Sequence, residues 1–171
     1  ENTDLFASAY QSSDGRFWLG GTGPDLYYSE DSGLNWQTLA LPDAPGKTAA
    51  LFEVDISPEQ SLLYAISSSA DSSVVYYISP DLEIFREKSL PGVRLLTGTY
   101  MEPRVFLAGV DSYSQEGLVF FQFLINEKPG PVQARDFRFN GIPLSIAGVQ
   151  NPETGQSLLL IGTDEGQIHE S

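Results

Sequence analysis

The 171-residue chain predicts an all-β fold built from a repeated four-stranded antiparallel unit. Three observations carry that reading. Short β-branched and aromatic runs are separated by clusters of Gly, Pro, Asp and Ser, the pattern of strands and tight turns. Few stretches keep a helical period over the roughly 11 residues at which one becomes legible. The segment Asp25-Leu26-Tyr27-Tyr28-Ser29-Glu30-Asp31 is echoed by Val75-Tyr76-Tyr77-Ile78-Ser79-Pro80-Asp81 at a shift of 50 residues, and such a period marks a repeat architecture.

Taken in order, Leu5 to Tyr10 reads as a strand, followed by the turn Ser12-Ser13-Asp14-Gly15. Arg16 to Gly21 is the second strand, Leu26 to Ser29 the third and Trp36 to Leu41 the fourth, which makes residues 5–41 one propeller-type blade. Gly20-Gly21-Thr22-Gly23 superficially resembles a phosphate loop, but no helix pattern or Lys follows, so it reads as a hairpin turn. The next cycle, 51–90, comprises Leu51 to Ser57, a turn at Pro58-Glu59-Gln60, Leu62 to Ser68, Val74 to Ser79 and Phe85 to Leu90. A third, 93–139, runs through Val93 to Tyr100, Arg104 to Val110, Leu118 to Ile125, the hairpin Asn126 to Pro131, and Ala134 to Phe139. A fourth, incomplete at 144–171, holds Leu144 to Gln150, a turn at Asn151 to Gly155, Ser157 to Thr163 and Gln167 to Ser171. The whole is expected to be one partial propeller of about three and a half blades, short of the roughly four to eight that closed propellers use. The expectation is therefore a fragment of a larger propeller; completion by a second chain, or by two joined copies, stays open. Tyr27-Tyr28 and Tyr76-Tyr77 alternate along third strands, so one of each pair is expected in the core and the other at the surface.

Composition narrows the partners. Acidic residues outnumber basic ones 23 to 9, for a net charge of −14. Such a surface repels nucleic acid and anionic membrane, and the few bases are scattered. Neutral or basic partners remain: carbohydrate, a basic protein face, or loosely held divalent cations. No apolar run reaches the roughly 20 residues of a membrane-spanning helix, the longest being interrupted by Gln122, so no direct membrane insertion is expected. With no cysteine and a single histidine, His169, the chain has no thiolate chemistry and no His-paired metal site. No cofactor and no metal are expected, and no residue is assigned as catalytic.

The spacing Ser29-x-Asp31-x-Gly33-x-x-Trp36 sits between the third and fourth strands of the first cycle. Ser and Asp side chains in such a turn accept hydrogen bonds from nearby backbone N–H groups, and Gly permits positive φ. A Trp covers the hairpin, burying a large apolar area while its N–H finds an acceptor. This S-x-D-x-G-x-x-W pattern resembles the Asp-box, or bacterial neuraminidase repeat. The resemblance implies a β-propeller in which the motif is a structural turn on the rim, away from the axis where substrates bind. Ser79 and Asp81 keep two of the four positions, Glu83 replaces the Gly and no Trp follows, so they form a degenerate copy.

The resemblance offers several functions. Sialidases of this kind need an arginine triad, a Tyr/Glu pair and an acid/base Asp. The six arginines here, at 16, 86, 94, 104, 135 and 138, lie at strand starts and outer strands and do not converge. Endoglucanase-type propellers place two Asp residues across a cleft between two propeller domains, more than this chain holds. The other class is non-catalytic: sortilin-like receptors, whose Cys-rich module is absent, and photosystem assembly factors, whose basic patch is absent. The expected function is a non-catalytic module, a protein-interaction or scaffold surface in an exported or membrane-associated assembly. Its partner is another protein or the remaining blades of a propeller. Carbohydrate binding, or a fragment of a glycoside hydrolase, is the alternative.

Other clusters read as solvated surface. Asp164-Glu165 with His169-Glu170 outlines a cation site only loosely, because alternating strand geometry disperses these side chains. Asp71, Asp111 and Glu116 fall in loops between second and third strands, where binding residues are often carried. Arg135, Asp136 and Arg138 sit on an outer strand, where charge guards against edge pairing.

Overall fold

Every regular element among the described residues is a β-strand, and every pairing is antiparallel. The structure, a computed structural model, describes residues 4–170 apart from 12, 58, 59, 88, 126, 127, 152, 153, 155 and 156. The expected turn residues Ser12, Pro58, Glu59, Asn126, Glu127, Pro152, Glu153 and Gly155, together with Ser171, lie outside that set. The chain divides into two compact units, Glu1–Pro91 and Gly92–Ser171.

The first unit holds two sheets. One is a meander of β1 (Leu5–Gln11), β2 (Arg16–Gly21), β3 (Asp25–Ser29) and β4 (Gln37–Ala40), in that spatial order. Its register places Ala9, Trp18 and Tyr28 side by side on one face and Tyr10 beside Phe17 on the other. The second sheet orders β5 (Lys47–Ser57), β6 (Gln60–Ser68), β7 (Ser72–Ile78) and β8 (Ile84–Arg86), with β9 (Leu90–Pro91) also on β7. Between the two sheets lies a core in which Trp18, Leu26 and Tyr28 pack with Leu51, Leu63, Ala65, Tyr76 and Ile78. Gly20 makes the close approach possible: a Cβ there would overlap the Thr48 side chain. Through the core runs a polar chain. The Trp18 indole N–H donates to Gln11 Oε1 (3.1 Å), Gln11 Nε2 donates to Ser61 Oγ (3.1 Å), and Ser61 Oγ donates to Glu53 Oε1 (2.6 Å). Satisfying these groups inside the core removes the penalty of burying them bare.

The second unit repeats the arrangement. Strands β10 (Val93–Met101), β11 (Arg104–Asp111) and β12 (Gly117–Ile125) form a meander, and both β13 (Lys128–Pro129) and β14 (Gln133–Phe139) pair with β12. Gln122, which interrupts the longest apolar run, is fully buried, and its amide donates to the Gly130 carbonyl across the hairpin. The last sheet has three strands in order, β15 (Pro143–Gln150), β16 (Ser157–Thr163) and β17 (Ile168–Glu170). Phe106, Val119 and Phe139 of the first sheet pack against Leu159, Ile161 and the half-buried Ile146 of the second.

Three expectations need correction. The second cycle starts at Lys47 rather than Leu51, because the small residues Thr48 and Ala50 pair with Ser67 and Ile66 and gave no apolar signal. The fourth strand expected over Phe85 to Leu90 is divided into β8 and β9, which pair with opposite ends of β7. Tyr76 and Tyr77 are both buried, at 0% and 6% exposure, whereas Tyr27-Tyr28 alternates as expected. β7 is covered on both of its faces, so period-2 alternation does not expose either tyrosine.

Leu63 lies at the centre of the first core and is fully buried. Leu63→Ala should lower unfolding free energy in urea by about 2–5 kcal/mol. Leu34→Ala, at a position 82% exposed, should stay within about 0.5 kcal/mol of the parent.

Candidate functional site

The turn joining β3 to β4 is held by its own side chains. Ser29 Oγ accepts from the Gly33 N–H at 2.8 Å and donates to Asp31 Oδ1, also at 2.8 Å. Asp31 Oδ1 accepts from the Asn35 N–H (2.8 Å) and Asp31 Oδ2 from the Asn35 side-chain amide (2.6 Å). Ser32 and Gly33 occupy the left-handed region at φ of 60° and 87°, a conformation that costs glycine least. The Trp36 indole N–H donates to the Gly33 carbonyl at 3.1 Å. Trp36 is 42% exposed, well short of the extensive burial expected, because its ring lies over Gly33 at the tip instead of entering the sheet core. Hydrogen bonds from the Asn35 backbone N–H, the Asn35 amide and the Ser29 hydroxyl hold the Asp31 carboxyl below its ordinary 3.8.

The turn between β7 and β8 reproduces part of this geometry. Ser79 Oγ accepts from the Glu83 N–H at 3.1 Å, as Ser29 Oγ does from Gly33. Leu82 carries the left-handed φ, 63°, at the position that corresponds to Ser32. Asp81 is exposed.

Arg16, at the start of β2, gathers these turns together. Its Nη1 donates to Asp14 Oδ2 (2.9 Å) and to the Pro80 carbonyl (2.5 Å), its Nη2 to Glu30 Oε1 (2.7 Å), and its guanidinium lies 5.7 Å from the Tyr28 ring centre. Beside this junction is a cavity of about 390 Å³ lined by residues that include Ser13, Asp14, Ile56, Leu62, Asp81, Glu83 and Phe85. It combines carboxylates with apolar walls, and Phe85 is 51% exposed. The sequence reading missed this site: Asp14, Asp81 and Glu83 are far apart in the chain, and only the meander brings their turns to one end.

The remaining clusters disperse or are occupied. Asp111 Oδ1 accepts from the N–H groups of Ser114 (2.8 Å) and Tyr113 (2.9 Å), which hold its carboxyl below 3.8. Glu116 pairs with Arg138 at 2.6 Å, both about half exposed. Asp164 Oδ1 accepts from the Ile142 N–H at 2.7 Å, and His169 packs its ring 5.3 Å from that of Phe139. No group of three or more potential metal ligands occurs among the described residues.

Asp31→Ala should lower the melting temperature, since it removes the acceptor for two Asn35 donors; an unchanged melt would contradict the structural role. The acid limb gives a sharper check. Because the folded pKa lies below 3.8, the contribution of the ionised carboxylate is present above that value and is lost as pH falls through the lower folded pKa. The melting temperature of Asp31→Asn should therefore fall less steeply below pH 3.8 than that of the parent.

No family model matches the chain, and no match is found among curated proteins. Among solved structures, a protein from Lactobacillus plantarum determined by a structural-genomics consortium is similar with 10% identity and a TM-score of 0.40. The alignment covers 98% of this chain and 70% of that one.

Proposed function

We propose that the chain is a β-propeller module of the Asp-box type, acting without catalysis as a protein-interaction surface in an exported or membrane-associated assembly. The propeller reading is supported by antiparallel meander sheets, one of four strands, two of five and one of three, and by the side-chain-locked turn from Ser29 to Trp36. The observation that carries the interaction reading is the cavity at the turn end of the first unit. Its carboxylates, Asp14, Asp81 and Glu83, stand beside Ile56, Leu62 and Phe85. Asp14 is already paired with Arg16, which leaves Asp81 and Glu83 as the exposed charges facing a ligand. A lysine or arginine side chain fits this chemistry, with its methylene stem on the apolar wall and its charge beside the carboxylates. The net charge of −14 attracts such a basic partner over distance.

A fluorescent peptide with one lysine between apolar residues tests the reading. Each exposed carboxylate is worth about 0.2–1 kcal/mol to such a contact. Asp81→Asn with Glu83→Gln should then weaken binding by roughly 2- to 30-fold. Added salt should weaken the parent's binding. Equal binding by the double variant, or by a peptide with glutamate in place of lysine, would contradict the proposal.

A further inference from the structure

Five asparagines occur in the chain, at 2, 35, 126, 140 and 151, and only Asn140 is followed by glycine. The structure describes Asn35, Asn140 and Asn151, and their surroundings differ. The Asn35 amide donates to Asp31 Oδ2 at 2.6 Å, and the bulky Trp36 follows it. Asn151 Oδ1 accepts from the Thr154 N–H at 3.2 Å, and the next residue, Pro152, has no backbone N–H. Asn140 is exposed in the link between β14 and β15, and among the described residues its side-chain amide makes no hydrogen bond.

Gly141 shapes that link. Its φ is 85°, and a Cβ built on it would fall 3.0 Å from Thr163 Cβ and Oγ1 and 3.2 Å from Asp164 Oδ1. The left-handed conformation and the close approach both favour a residue without a side chain. The following residue is pinned, since the Ile142 N–H donates to Asp164 Oδ1 at 2.7 Å and its carbonyl accepts from the Asp164 N–H at 3.0 Å. The Asn140 amide is thus free to turn toward the N–H of a residue that has no side chain to screen it. Asparagine is among the chemically labile residues, and holding two reacting groups in one chain raises their effective concentration by orders of magnitude.

We propose that Asn140 is a site of covalent self-modification, deamidating through a cyclic imide formed with Gly141. The Gly141 nitrogen attacks Asn140 Cγ and a new N–C bond closes the imide. The Cγ–Nδ2 bond breaks, and the amide leaves as ammonia with the proton given up by the Gly141 nitrogen. Water then opens the imide at one of its two carbonyls. Opening at Cγ leaves aspartate at 140, whereas opening at the main-chain carbonyl leaves isoaspartate, with an extra methylene in the backbone. Water is the sole co-reactant. Asn140 lines a cavity of about 230 Å³ with Glu116, Arg138, Phe139 and His169. The reaction therefore adds a carboxylate to a cavity whose guanidinium is already bonded to Glu116 at 2.6 Å. The site lies wholly within the second unit and is independent of the interaction reading of the first.

Peptide mapping by mass spectrometry on the intact chain tests the assignment. The folded protein is held for days at mildly alkaline pH, sampled over time and digested at low pH, where ring closure is slow. The peptide carrying Asn140 should gain the mass of amide-to-acid exchange before those carrying Asn35 or Asn151 change, and part of it should accept isoaspartyl carboxyl methylation. Asn140→Gln, verified as folded by circular dichroism, has to close a larger ring and should lose most of the ammonia release. A parallel sample unfolded in guanidinium separates the native link from the bare dipeptide, and conversion should be measurable in both. Conversion confined to the unfolded sample would overturn the proposal, because the native link would then hold the amide out of reach. So would earlier conversion at Asn35 or Asn151 in the folded chain, or unchanged ammonia release from Asn140→Gln.

Discussion

A strand that is apolar at successive positions has to be covered on both faces, and that constraint organises this protein. β6 is buried at every position from Ser61 to Ser68, and β7 from Ser73 to Ile78. Such near-continuous runs are otherwise typical of parallel sheets covered on both sides. Here they occur within antiparallel meanders, flanked by strands that are progressively more exposed. β4, at the edge of the first sheet, has no fully buried residue. The gradient from the covered strands to the edge follows from the hydrophobic effect acting on sequence order, since each hairpin places the next strand one step further out.

Local chemistry then fixes the turns at which this order reverses. Ser29 and Asp31 close the seven-residue loop between β3 and β4 with a set of hydrogen bonds local to the turn. The partial copy at Ser79 shows which features are separable. The serine bond to the residue four positions on survives with glutamate there, because the left-handed conformation is carried by Leu82, one position earlier. The indole contact to the tip carbonyl has no counterpart at the second turn. Arg16 links the two turns by bonding to Glu30 and to the Pro80 carbonyl, so the edge geometry of one sheet is tied to that of the other.

Much of this was legible in the residues. Repeats of the Tyr-Tyr and Ser-x-Asp segments located the third strands, and Gly and Asp clusters located most hairpins. Strand starts made of small residues, such as Thr48 and Ala50, were invisible because pairing rather than hydrophobicity places them. The depth of Tyr77 was missed for another reason: alternation identifies a strand's two faces but not whether both are covered. The cavity beside Arg16 escaped because its carboxylates come from separate turns, and sequence distance hides what a meander brings to one end. Trp36 was placed correctly in the turn but too deep, since its ring is spent on the tip backbone.

The carboxylate-lined hollow beside Arg16 is framed by turns that stand on the two sheets of the first unit. Within those sheets, β6 and β7 are buried at successive positions and form the frame. Native-state amide hydrogen exchange addresses that frame most directly. Amides of β6 from Leu62 to Ser67 should exchange only by global unfolding, while those of β4 exchange by local opening at much lower free energy. Exchange in β6 as fast as in β4 would contradict the account.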